Sequence, residues 1–180
     1  MIKVLIIYAT HSGSTTEVVE FMQNSIQEAS IQVDVVQVQA FDGDMSAYDA
    51  LILGSPIHRG VWLLPMWRML RKQARTFGQK PVWAFSMCLR ILEEDGYQHA
   101  QRHYFQGDLL TQLNLQDHQF FSGSLSHTSA IDKSDFLQRY DGASVLRDGD
   151  YRDWDAIRHW TLMIAQSLRE TSSNSSVRGG

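Results

Sequence analysis

Val4-Leu5-Ile6-Ile7-Tyr8 is an unbroken apolar run, the pattern of a parallel strand covered on both faces. A polar, glycine-bearing stretch, Ala9 to Ser14, follows it, and then Val18, Met22, Ile26 and Ala29 recur at helical spacing. Strand, loop and helix are predicted in that order. Val33, Val35, Val36 and Val38 are interleaved with Asp34 and Gln37, so a second strand has a partly wet face and belongs toward a sheet edge. Ala50 to Gly54 predicts another buried strand. Pro65 suits the first turn of a helix whose apolar face is Leu63, Trp67, Leu70, Ala74 and Phe77, closed by Gly78. Pro81 to Ser86 predicts a fourth strand, and Phe120-Phe121 with Leu125 a short fifth; residues 93–115 between them are expected to be mostly helical. Trp154, Ile157, Thr161, Ile164 and Leu168 form the stripe of a last helix, with Asp153 and Asp155 at its start where the helix dipole favours acids.

Strands alternating with helices predict an α/β, doubly wound sheet with ligands beyond the carboxyl ends of its strands. One domain over residues 1–170 is expected, followed by a Ser- and Gly-rich tail, 171–180, without fixed structure. No repeat is visible. Ser126 to Asp150 carries no clear periodicity, and a stretch of that length is expected to be a lid over the active edge.

The 180 residues are 43% apolar, enough for one core. Five Trp, six Tyr and eight Phe could also line a pocket for a flat ligand. The net charge is -4 and the 16 Lys and Arg residues are scattered, which argues against a nucleic-acid partner. The single cysteine, Cys88, excludes an internal disulfide and any Cys-cluster metal site, so no metal is expected and a cytoplasmic location is. Val4 to Ala9 is too short for a signal-peptide core, and no apolar stretch reaches the roughly 20 residues that span a bilayer. Membrane contact is expected to be peripheral at most.

The chemistry begins at Thr10-His11-Ser12-Gly13-Ser14-Thr15. Between a buried strand and a helix, unpaired backbone N–H groups and the dipole attract a dianion. Gly13 lets the backbone curl close to phosphate, and Thr10, Ser12, Ser14 and Thr15 add hydroxyl donors. His11 is the only positive charge within the loop, so neutral donors are expected to carry the load. The competing reading is a capping box of Ser14 with Glu17, which accounts for those two residues but not for the other hydroxyls. Gly-Lys-Ser/Thr and GxGxxG are both absent, as are acids after the first strand and a cysteine in the loop. Those absences argue against nucleoside-triphosphate, dinucleotide, response-regulator and tyrosine-phosphatase sites.

The pattern Thr-x-Ser-Gly-x-Thr followed by Glu17 resembles the FMN phosphate loop of flavodoxins. The chain is similar in particular to the flavodoxin-domain group that includes bacterial quinone-dependent protoporphyrinogen IX dehydrogenases. Thr10 to Thr15, Gly54-Ser55-Pro56-Ile57-His58-Arg59-Gly60 and Tyr151-Arg152-Asp153-Trp154-Asp155-Ala156-Ile157 carry that likeness. It implies a flavodoxin-like sandwich with a five-stranded parallel sheet in the order 2-1-3-4-5, and FMN as cofactor. Thr10, Ser12, Gly13, Ser14 and Thr15 would hold its phosphate, with His11 adding backbone and charge.

By the same resemblance, Ser55, Pro56, Ile57, His58, Arg59 and Gly60 pack against the flavin ring, a backbone carbonyl among residues 57–60 facing its N5. Arg59 or His58 would place positive charge near N1. Trp62 either stacks on the ring or belongs to the core, and the alternative for Arg59 is a solvated side chain. Ser86, Met87, Cys88 and Leu89, with Arg90, would border the pyrimidine edge and offer backbone N–H groups to it. Cys88 itself reads as a packed thiol. Unlike the basic, partly apolar insertion of the haem-synthesis enzymes, Ser126 to Asp150 is polar, with Lys133, Arg139 and Arg147 as its cations.

Three functions remain open on these residues. One is an FMN-dependent oxidoreductase passing electrons from an organic donor to a quinone-type acceptor. The second is an electron carrier that docks on protein partners, and the third a binding module that kept the fold without the cofactor.

Overall fold

The computed structural model describes residues 1–73, 77–78, 80–104, 110–125 and 148–177. The apolar run near the start forms β1 (Lys3–Tyr8), a central strand flanked by β2 (Gln32–Gln37) and β3 (Ala50–His58), both parallel to it. Beyond β3 come the two-residue β4 (Val61–Trp62), then β5 (Pro81–Met87) and β6 (Asn114–Phe121). The parallel order is β2-β1-β3-β5-β6, with β4 folded back antiparallel on β3. Leaving out that return strand, this is the expected 2-1-3-4-5 arrangement.

Alternation along the strands divides the core into two. Val4, Ile6, Ile52, Trp83 and Phe85 meet Val18, Met22 and Ile26 of α1 (Ser14–Glu28) and, numbering the helices in chain order, Ile157, Ile164 and Leu168 of the last one, α4 (Trp154–Val177). Leu5, Ile7, Leu51, Leu53, Val82 and Ala84 face Met66, Met69 and Leu70 of α2 (Leu64–Gln73), together with Phe77, Leu110 and Leu113. The buried face of α2 therefore includes Met66 and Met69, while Leu63 and Trp67 are half-buried. Ala74 lies outside the described residues. α3 (Gly96–His103) lies between β5 and β6, and the strand already begins at Asn114, shortening the helical stretch expected there.

β6 is longer than its apolar residues suggest because its polar side chains have partners inside. Asp117 accepts from the Trp160 indole at 2.7 Å and from Gln119 at 2.9 Å, and the Tyr97 hydroxyl donates to Gln119 at 2.7 Å. Each satisfied donor removes most of the cost of taking a polar group out of water.

α4 starts on Asp153, whose carboxylate accepts the Ala156 N–H at 2.9 Å, an N-cap worth about 1 kcal/mol. It does not stop where the Ser-rich stretch begins. The Thr171 and Ser173 hydroxyls donate to carbonyls four residues earlier, both at 2.9 Å, so these two side chains are turned back onto the helix, whose backbone continues to Val177. Residues 178–180 lie outside the description. Ser124–Leu125 (β7) pairs antiparallel with Gly149–Asp150 (β8), bringing together the two ends of the expected lid; 126–147 lie outside the described residues. No described helix is long and apolar enough to cross a membrane.

β3 and β5 approach closely at Gly54. A Cβ there would come within 2.0 Å of Cζ of Phe85, a fully buried ring packed edge-on to Trp160 at 6.3 Å. Gly54→Ala should lower unfolding free energy by about 2–3 kcal/mol in urea titration, as overpacking does. A change under about 0.5 kcal/mol would show that the Phe85 ring relocates freely.

Candidate functional site

β1, β3 and β5 end at the same edge, and the segments leaving them build the site. Ala9 donates to the Gly54 carbonyl at 2.9 Å, so the first loop leaves the sheet in fixed register with β3. Within it the Thr10 hydroxyl accepts the Gly13 N–H at 3.0 Å, and Gly13 turns into α1 with φ +92°, a conformation in which glycine carries no Cβ strain. Gly13 is the N-cap, and no side chain caps the helix. The competing capping box is therefore not made: Ser14 is already helical, and the Glu17 carboxylate reaches Arg152 instead.

Two features suit this end of α1 to an anion. A Cβ on Gly13 would meet nothing within 4 Å. The Thr15 hydroxyl is in a residue 1% exposed and has no hydrogen-bond partner. An unmet buried hydroxyl costs about 1–3 kcal/mol, and a phosphate oxygen accepts hydrogen bonds from such groups and from the first-turn N–H groups alike. Ser12 and His11 are exposed on the loop, and the His11 ring lies parallel to that of His58 with centroids 6.5 Å apart. The first and second loops thus face each other.

The second loop is a tight hairpin. Ile57 pairs with Trp62 and His58 with Val61, leaving Arg59 and Gly60 as a two-residue turn with φ of 57° and 82°. Positive φ at both positions is the type I′ turn that matches the twist of paired strands. His58 and Arg59 are exposed at its tip. Ser55 is turned inward: it is fully buried, its hydroxyl donating to the carbonyl of half-buried Pro56 and accepting the Leu63 N–H at 3.1 Å.

Trp62 does not offer a face to the edge. It is 1% exposed, its indole N–H donates to Ser86 Oγ at 2.7 Å, and its ring meets His118 edge-on at 6.0 Å. Of the two readings of Trp62, burial favours the core, where Ser86 and His118 enclose the ring. Ser86 also bonds His118 Nε2 at 2.9 Å, so neither its hydroxyl nor Trp62 is directed outward.

In the third loop, Met87 pairs within the sheet and the Cys88 N–H donates to the Phe121 carbonyl at 2.8 Å. That donor is unavailable to a ligand, a correction to the sequence expectation. The thiol is 5% exposed and burial pushes it up to about 11, so it behaves as packing. Leu89 opens a 3₁₀ turn, Leu89–Leu92, and Arg90 pairs with Glu93 at 3.4 Å. Cys88, Ala100 and Phe120, with Ile57 and Tyr104 against them, form a small apolar floor between the second and third loops.

Arg152 was not foreseen as part of the site. Its guanidinium, 6% exposed, makes a bidentate pair with Asp150 (Nη2–Oδ2 and Nε–Oδ1 both 2.7 Å), reaches Glu17 at 2.8 Å and donates to the Ser14 carbonyl at 3.2 Å. It stacks on Trp154 at 4.5 Å. The fixed cation beside the first loop therefore comes from Arg152, shared between Asp150 and Glu17. Among the described residues no group of three or more His, Cys, Asp or Glu side chains is arranged to hold a metal.

The flavodoxin domain family matches residues 5–132, a stretch that contains all three loops. The chain belongs to that family. Its flavodoxin-type fold is shared with an archaeal flavodoxin (TM-score 0.58, 15% identity, covering 93% of this chain and 99% of that one). It is shared equally with the FMN-bound flavodoxin of Fusobacterium nucleatum (TM-score 0.57, 15% identity, 93% and 99%). In sequence it is 26% identical over 88 residues to protoporphyrinogen IX dehydrogenase [quinone] of Escherichia coli K12; the match spans 48% of this flavodoxin-family chain and 49% of the relative.

The network behind the second loop generates a pH effect. Burial holds His118 down to about 4, against an ordinary 6.5, while nearby Asp117 opposes the shift. Between those values the unfolded chain binds a proton that the folded one refuses, so stability is complete above about pH 6.5 and falls toward pH 4, by about 3 kcal/mol at most. Urea titrations of wild type and His118→Gln across that window should show a distinctly flatter slope in the variant. Parallel slopes would mean that His118 titrates normally.

Proposed function

We propose that this protein binds FMN with its phosphate on the first turn of α1 and works as an oxidoreductase of the protoporphyrinogen-dehydrogenase type, passing electrons to a quinone-type acceptor in the cytoplasm. The buried, unpartnered Thr15 hydroxyl at an uncapped helix start carries this reading. A hydroxyl is kept desolvated there at a cost that an incoming phosphate oxygen offsets. The hydroxyls of Thr10, Ser12 and Ser14 surround the same turn, with Gly13 as its pivot. The hairpin from Ile57 to Gly60 and the segment from Cys88 to Arg90 flank the ring, and Arg59 supplies positive charge at its rim beside the His58 ring. FMN, when bound, supplies the acceptor and donor of electrons, and the chain's part is to hold it, wall it and set its field.

The 26% identity to the Escherichia coli dehydrogenase supports the choice of substrate class. The experiment is anaerobic mixing of FMN-loaded protein with protoporphyrinogen IX, followed by a soluble quinone. Bleaching of the flavin absorbance and its return on adding quinone are expected. No bleaching would remove the porphyrinogen assignment, and bleaching that only a protein acceptor reverses would favour an electron carrier.

Thr15→Val tests the cofactor assignment separately. Without ligand the variant should be as stable as wild type or up to about 1 kcal/mol more stable, since an unmet polar group is replaced by methyl. FMN should bind about tenfold more weakly, the loss of one hydrogen bond to a charged acceptor. Equal FMN affinity in fluorescence titration would move the phosphate elsewhere.

A further inference from the structure

We propose that Arg152 is a positioning residue for the phosphate site, acting by neutralising Glu17 and bracing the Ser14 carbonyl rather than by touching the ligand. This rests on the FMN reading above and adds to it a residue outside the three loops.

Glu17 lies in the first turn of the helix that is to receive a dianion. An acid there complements the dipole of an empty helix but repels an anion bound at the same end. Arg152, which Glu17 shares with Asp150, offsets part of that charge at 2.8 Å. Its own position is fixed from three other sides: Asp150 grips it in bidentate fashion, the Ser14 carbonyl accepts from Nη1, and Trp154 lies under the guanidinium plane. Trp154 in turn meets Phe21 of α1 edge-on at 5.0 Å. The Ser122 hydroxyl donates to the Tyr151 carbonyl, and Tyr151 N–H to the Gly123 carbonyl at 3.2 Å, anchoring the neighbouring backbone. With each nitrogen already committed to a protein acceptor, the guanidinium works through charge on Glu17 and through the placement of Ser14, whose N–H belongs to the phosphate-facing first turn.

Titration of FMN and of riboflavin, which lacks the phosphate, separates this from a general structural role. Arg152→Met should weaken FMN about tenfold and leave riboflavin within about twofold, because the uncompensated Glu17 charge acts only on the phosphate. Glu17→Gln added to Arg152→Met should restore most of the FMN affinity. Asp150→Asn keeps the arginine and removes its strongest counter-charge, so it should tighten FMN a few-fold at low salt, with the gain lost at high salt. This exposed substitution keeps the test open should Arg152→Met fail to fold. Equal weakening of both flavins, unchanged FMN affinity in Arg152→Met, no recovery with Glu17→Gln, or no gain in Asp150→Asn would each overturn the proposal while leaving the FMN site standing. Wild type that binds riboflavin and FMN equally, or neither, would overturn both.

Discussion

The start of α1 is a helix end that no side chain closes, and much of the molecule is arranged around that condition. A helix begins with four N–H groups lacking intrahelical partners, and here the residue ahead of them is a glycine in the left-handed region rather than a serine or aspartate reaching back. The place of that turn is set by β1, whose register with β3 continues through the Ala9 to Gly54 hydrogen bond. Its orientation is set by α1 lying against α4 and the sheet through Val18, Met22 and Ile26. A loop that binds by backbone geometry needs this rigidity, because a shift of a fraction of an ångström spoils several hydrogen bonds together.

The same edge is supported from behind by polar pairs. Trp62, Ser86 and His118 join the hairpin, β5 and β6 in a continuous chain of hydrogen bonds, with His118 kept neutral at ordinary pH by its burial. A neutral imidazole can bond the serine without carrying a charge into the core. Buried networks of this kind specify one arrangement of their strands, because a slipped register would leave every member unsatisfied. The loops facing the ligand can then be short, with the hairpin turning in two residues.

How much was legible in the sequence follows from the same physics. β1, β3 and β5 were readable because parallel strands buried on both faces must be apolar throughout, and the order of the sheet followed from the resemblance at the first loop. β6 was half hidden: Asp117, His118 and Gln119 carry no apolar strand pattern, and their side chains find partners in Trp160, Ser86 and Tyr97. The serines after Glu170 look like coil for the converse reason, since their hydroxyls can cap or bend a helix as readily as ride along it. The first loop was legible as a set of hydroxyls, whereas the outcome of Ser14 against Glu17 was not. That outcome depends on Arg152, remote in sequence, and no local pattern records such a partner. Trp62 was open between pocket and core, and its partners Ser86 and His118, both remote in sequence, decided it.

Binding a dianion next to a carboxylate appears self-defeating until the third charge is counted. Direct capture by a free arginine would give more Coulomb energy, but a flexible cation loses conformational freedom on binding and holds no particular geometry. Here the guanidinium is fixed by Asp150, Trp154 and the Ser14 carbonyl, so its conformational entropy is already lost on folding. In the proposed site it offsets part of the Glu17 charge, and the hydroxyls and amides would define where the phosphate sits. Glu17 keeps a use of its own, because a carboxylate in the first turn complements the dipole of α1 before any ligand arrives. The arrangement separates two tasks that a lone cation would combine, with neutral donors selecting the shape of the ligand and a locked ion pair setting the field around it.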